Sequence, residues 1–240
     1  MKASSSLAAV LDRPDVWRGD ALSLGVPGIS SGFAALDAEL PGGGWPVGAL
    51  TEILPAHEGI GELRLLGPSL ASLAQRGAQL AWISPPYPPY PPALAAAGIE
   101  LGKLLIVRTA APKDTLWAIE QALRSNACGA VLGWLPKTTQ YADLRRLQLA
   151  AEGGRAAAFL FRSGDAVGNS SPAALRIALS TAGGGLAIRL LKRRGAPLAS
   201  PILLPAMPPA ARARPSNRHV DRHPISAPAA RDIPARLVHA

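Results

Sequence analysis

Apolar residues recur in short continuous runs along this chain, at 49–54, 79–84, 104–108, 130–134 and 156–161. Strands buried on both faces show this pattern, whereas strands with one wet face alternate. Between the runs lie stretches with helical spacing, at 63–75, 91–97, 114–126 and 141–152. In the third, Leu116, Ile119, Glu120 and Leu123 fall at i, i+3, i+4 and i+7, and Asp114 suits the N-cap or first turn. The alternation predicts an α/β fold with a mostly parallel sheet and helices on both faces. Two further strands, 174–181 and 185–191, flank Ala182-Gly183-Gly184 and predict an antiparallel pair at the end of the sheet. Upstream, an amphipathic helix is expected over 7–19, with Leu7, Val10, Leu11 and Trp17 towards one side. A loop over 20–32 follows. A short helix over 32–40 then stops at Pro41-Gly42-Gly43-Gly44.

Composition changes the picture at the C-terminal end. Pro, Ala and Arg dominate 206–240, and no periodic apolar pattern survives there. From Lys192 onward nine basic residues face two acidic ones, leaving 16 basic and 14 acidic residues in the first 191. The net charge of +9 therefore describes a basic tail on a nearly neutral body. The expected organisation is an N-terminal helical segment (1–25), an α/β core (26–197) and a flexible Pro/Ala/Arg-rich tail (198–240). One cysteine, Cys128, excludes an internal disulfide and suits a reducing compartment, where it would be a small buried hydrophobe. No apolar run reaches the roughly 18 residues of a membrane span. A cytoplasmic address with no membrane contact is expected.

The chemistry turns on the loop after the first strand, Pro55-Ala56-His57-Glu58-Gly59-Ile60-Gly61-Glu62-Leu63. A phosphate-binding loop needs Gly-x-x-x-x-Gly-Lys-Ser/Thr: glycines for backbone N–H contacts, a lysine for charge and a hydroxyl for magnesium. Here Gly61 is followed by Glu62 and Leu63, an anion and a hydrocarbon. An anion facing a triphosphate converts attraction into repulsion. The segment before it, Gly32-Phe33-Ala34-Ala35-Leu36-Asp37 and then Gly42-Gly43-Gly44-Trp45-Pro46-Val47-Gly48, resembles the start of the RecA-family ATPase core. That resemblance implies a RecA-like sheet with a degenerate phosphate loop. It also implies a glutamate after the second strand, where Ser84 runs into Pro85–Pro92. An aspartate would end the strand at 130–134, where Trp134-Leu135 stand instead. The chain is thus expected to be no enzyme, with no cofactor, metal or catalytic residue. His57, Glu58, Gly59, Gly61, Glu62 and Leu63 are then remnants of a nucleotide site.

Trp17-Arg18-Gly19, the glycine turn with Trp45-Pro46, Trp82-Ile83 before Pro85-Pro86, and Leu94 to Gly98-Ile99 ahead of Leu104–Val107 together resemble the ImuA family. That resemblance implies an accessory protein of SOS-induced translesion synthesis. Its implied partners are an ImuB-like Y-family protein and an error-prone polymerase III α-type subunit, with RecA and, through the basic tail, DNA as further candidates. The runner-up is the related SulA family, which shares the reduced fold and implies a division inhibitor acting on FtsZ.

Remaining features have bland readings beside sharp ones. Tyr87 and Tyr90, three apart in a proline run, align on a polyproline helix and suit either a docking strip or a stiff loop. Lys137, Arg145 and Arg146 suit a solvated face more than a DNA contact. The tryptophans at 17, 45, 82, 117 and 134 suit packing more than base stacking, with Trp45 the exception to test. His57 beside Glu58 lacks a second histidine at ligand spacing, and His219 and His223 make no site.

Overall fold

A computed structural model describes residues 28–205. The helix expected over 7–19 and the sequence beyond 205 lie outside these residues. The elements run in order α1 (Ala34–Asp37), β1 (Leu50–Pro55), α2 (Glu62–Gln75), β2 (Gln79–Ile83), α3 (Pro91–Ala96), β3 (Leu104–Val107), α4 (Pro112–Arg124), β4 (Cys128–Trp134), α5 (Tyr141–Ala151), β5 (Ala157–Phe161), β6 (Leu175–Ala182), β7 (Gly185–Lys192) and β8 (Ile202–Leu204). The strands form one sheet in the order β3-β2-β4-β5-β1-β6-β7-β8. β1 to β6 pair in parallel, and the β6–β7–β8 end is antiparallel.

Both faces are covered, which is why the strands read as continuous apolar runs. On one face Leu36, Trp45, Leu65, Leu66 and Leu70 pack on Ile53, Leu80, Trp82, Leu132 and Phe159. On the other, Leu116, Ile119 and Leu123 of α4 and Leu144 and Leu147 of α5 pack on Leu50, Ala81, Ile83, Val131 and Leu160. Odd and even positions of β1, β2, β4 and β5 thus feed opposite cores. α4 opens with Pro112 after Ala111, so Asp114 is a first-turn acid and not the cap. α5 opens with a capping box, Gln140 N–H donating to Asp143 Oδ2 at 2.9 Å.

The motif ahead of β1 is a structural clamp. Asp37 accepts from Ser31 N–H at 2.8 Å and Ser30 Oγ at 2.7 Å, fixing the incoming loop. Gly32, at φ 83°, lies where a Cβ would meet Pro68 Cβ at 2.4 Å, so only glycine lets the loop close on α2. Trp45 is fully buried. Its indole N–H donates to Ser69 Oγ at 2.9 Å, and that hydroxyl donates to Ser30 carbonyl at 2.8 Å. This placement removes Trp45 as a base-stacking platform.

Two features depart from the sequence pattern. β8 lies in the stretch that composition assigns to the tail, pairing Ile188 with Ile202 and Leu186 with Leu204. At three residues between Pro201 and Pro205 it is too short to produce a periodic signal. Trp117 is 61% exposed, because it lies on the outward side of α4, opposite Ile119. Two basic residues ahead of Pro197 also serve the fold: Arg193 pairs with Glu39 at 2.7 Å, and Lys192 Nζ donates to Ser171 carbonyl at 3.0 Å.

Candidate functional site

In open parallel sheets the ligand crevice lies outside the carboxyl ends of the strands. Here that crevice is lined by residues 55–58 from the end of β1, Ser84 and Pro86 after β2, Thr109–Ala111 between β3 and α4, Pro112 and Thr115 at the start of α4, residues 134–137 from the end of β4, and residues 161–164 from the end of β5. The loop that sequence singles out therefore borders the expected place. Its contents are not those of a nucleotide site.

Gly59 (φ 78°) and Gly61 (φ 111°) are both left-handed, which turns their N–H groups inward as in a phosphate loop. The group they hold is Glu62. Its carboxylate accepts from Gly59 N–H at 3.0 Å and from Gly61 N–H at 3.1 Å. Glu62 is also the first residue of α2, where a negative charge suits the positive end of the helix. The anion is thus supplied covalently by the chain. Sequence reasoning places Glu62 as a charge opposing a phosphate; the geometry makes it the occupant of the cradle. A triphosphate would have to displace two charge-assisted hydrogen bonds before gaining any of its own.

The other residues singled out in this loop are not brought together as chemistry. Glu58 accepts from the Tyr87 hydroxyl at 3.2 Å, tying the loop to the proline segment. His57 borders the crevice, and Leu63 packs partly buried against the α2-side core. After β2, Ser84 sits at φ 53°, a backbone region that non-glycine residues seldom adopt. Its hydroxyl is 2.5 Å from that of Thr109, which is 2.7 Å from that of Thr115. Three neutral hydroxyls satisfying one another stand where a carboxylate would be needed. At the end of β4, Trp134 stacks on Phe161 with ring centres 4.7 Å apart and 13° between planes. Among the described residues no group of three or more His, Cys, Asp or Glu could hold a metal ion.

Sequence reasoning misses the most polar feature of the core. Glu52, fully buried at the middle of β1, accepts from Arg176 Nε at 2.7 Å, Ser171 Oγ at 2.8 Å and Arg162 Nη1 at 3.2 Å. Arg176 goes on to donate to Ala166 carbonyl at 2.9 Å, pinning the turn after β5 to the sheet. The three partners lie 110 or more residues from Glu52 in sequence, so no local spacing betrays them. Arg146 is likewise engaged, pairing at 3.0 Å with Glu120, which also holds Arg124. That accounts for an acid on the apolar stripe of α4. Burial raises the Cys128 thiol above its ordinary range, which suits a packing role over a nucleophilic one.

Removing the Glu62 side chain leaves both glycine N–H groups without their acceptor. Glu62→Ala is expected to lower stability by about 1 kcal/mol, the size of a lost N-cap. Urea denaturation measures it, and magnesium-ATP should give the unaltered protein no thermal shift.

Comparison with known proteins adds the decisive information. The sequence model of the family described as cell division inhibitor SulA matches residues 48–158, from the end of the glycine turn to the start of β5. The cell division inhibitor SulA of Edwardsiella piscicida is 37% identical over 98 residues, 41% of this chain and 58% of that protein. Those of Yersinia pestis (strain Pestoides F) and Yersinia pseudotuberculosis (serotype I, strain IP32953) are each 34% identical over 116 residues, 48% of this chain and 68% of each relative. The chain thus spans under two thirds of the Edwardsiella protein's length. These matches overturn the translesion-synthesis reading together with its partner set of ImuB-like protein, error-prone polymerase, RecA and tail-bound DNA. The reason is physical: Trp45, Trp82, Leu94, Ile99 and Leu104, which carried that resemblance, pack into or against one core on the α2 side of the sheet. Residues that build a shared scaffold do not discriminate between two families that use it.

Proposed function

Because the chain belongs to the SulA family, we propose that it is a cell division inhibitor that works by binding the division protein FtsZ, without catalysis. The observation that carries this reading is the family match from β1 to the start of β5, which takes in most of the crevice. What supports the non-catalytic half is Glu62 in the phosphate cradle, with hydroxyls and aromatics at the ends of β2 and β4. We read the sheet as a RecA-like core kept for its surfaces, and its synthesis as part of the SOS response.

The test is direct. Purified protein added to FtsZ and GTP should suppress polymer light scattering and GTP turnover at near-stoichiometric amounts, and overproduction should turn dividing cells into filaments. Undisturbed polymerisation together with normal cell length would overturn the reading. Neither effect should require ATP.

A further inference from the structure

β3 ends the sheet. On one side it pairs with β2 from Leu80↔Leu104 to Ile83↔Val107, and its other side carries no strand among the described residues. Natural edge strands are blunted by proline, inward charge, bulges or extreme shortness. The opposite edge follows that rule, since β8 is three residues long and bounded by Pro201 and Pro205. β3 is also short, at four residues, but no proline bounds it and Leu104-Leu105-Ile106-Val107 contains no proline, glycine or charge. Leu105 and Ile106, neighbours on opposite faces, are 55% and 41% exposed.

The stretch upstream of Glu100 is uncharged. No Asp, Glu, Lys or Arg occurs between Arg76 and Glu100. Within that stretch α3 buries no residue and Tyr90 is 69% exposed. Exposed apolar side chains on an open strand edge, as at Leu105 and Ile106, mark a protein-binding surface.

Charge selects the occupant. Lys103 and Arg108 bracket β3 immediately before and after the strand. A second copy pairing antiparallel about the strand centre would set Lys103 opposite Arg108 of its mate at both ends, and like charges opposed across strands destabilise a pair. We propose that the β3 edge is the docking surface for a protein partner, which adds an extended apolar strand carrying a carboxylate at each end. Only the partner's identity as FtsZ rests on the function proposed above.

Two arms test this. In the first, the full chain is titrated with a Glu-Val-Ile-Val-Glu peptide, blocked at both termini, and with its Lys-flanked counterpart. The acidic peptide should shift the backbone amide resonances of residues 104–107 and the basic one should not. Equal shifts from both, or none at β3, overturns the proposal. In the second arm, Leu105→Lys/Ile106→Lys and Lys103→Glu/Arg108→Glu are compared with the parent chain for FtsZ affinity, each first shown to keep its circular dichroism and melting temperature. A loss of tenfold or more in both is expected, whereas unchanged affinity means that FtsZ sits elsewhere and the proposal falls. Peptide binding at β3 without any FtsZ binding by the parent chain sinks the functional reading and upholds the edge. If the wild-type chain proves a dimer that Leu105→Lys/Ile106→Lys dissolves, a second copy is the occupant and the proposal is overturned.

Discussion

Replacing Glu52 with glutamine is expected to cost about 3–5 kcal/mol of folding stability, the range found when one partner of a buried ion pair is removed. Glu52 is fully buried and receives three donors, two of them guanidinium groups whose side chains are 8% and 9% exposed. The amide retains the shape and one acceptor oxygen but not the charge. Arg162 and Arg176 would then remain in the interior with no compensating anion. Domains of this size hold roughly 5–15 kcal/mol in all, so the variant should be marginal at 25 °C and unfold at much lower urea. The turn after β5 should loosen with it, because Arg176 holds the carbonyl of Ala166. The control separates charge from packing. A triple replacement, Glu52→Leu/Arg162→Met/Arg176→Met, removes every charge and should recover most of the loss, since well-packed apolar substitutes commonly match buried ion pairs. A Glu52→Gln protein as stable as the parent would show that the arginines find water on their own.

What the sequence reveals and what it hides follow from the range of each interaction. Strands buried on both faces announce themselves through consecutive apolar residues, and α2, α4 and α5 through their periodicity, because both signals are local. The defect at Glu62 is legible for the same reason, sitting one residue after Gly61. Its orientation is not legible: only folded geometry turns the carboxylate back onto Gly59 and Gly61. The Glu52 cluster depends on register between β1 and β6, where Glu52 faces Arg176 across the sheet. Nothing within a window of sequence encodes that register. β8 fails differently, since three residues between prolines cannot show a period. Trp117 is misjudged as core because tryptophan is usually buried, while its angular position on α4, opposite Ile119, already points it outward. The choice between families fails because the matched residues that the structure describes, Trp45, Trp82 and Ile99 among them, pack the core, and a core belongs to the scaffold.

Trp45 tests that last point quantitatively. Its ring is fully buried and meets Phe159 edge-on, with centres 5.4 Å apart and planes at 89°. It also joins the segment ahead of β1 to α2 through Ser69 and on to Ser30. Trp45→Ala is expected to cost about 3–5 kcal/mol, the range for deleting a large buried aromatic side chain. Trp45→Phe keeps an aromatic surface for Phe159 but withdraws the donor to Ser69, and it should cost about 1–2 kcal/mol. If the residue served only to stack on a ligand, alanine would leave the urea midpoint where it is and abolish binding alone. The structural role predicts the reverse order: stability falls first, and the proposed FtsZ inhibition stays intact in Trp45→Phe wherever the protein remains folded. The midpoint of urea unfolding, followed through Trp82 and Trp134 fluorescence, distinguishes the two. A midpoint unmoved in Trp45→Ala would remove the clamp from the account of why Gly42–Gly48 has the sequence it has.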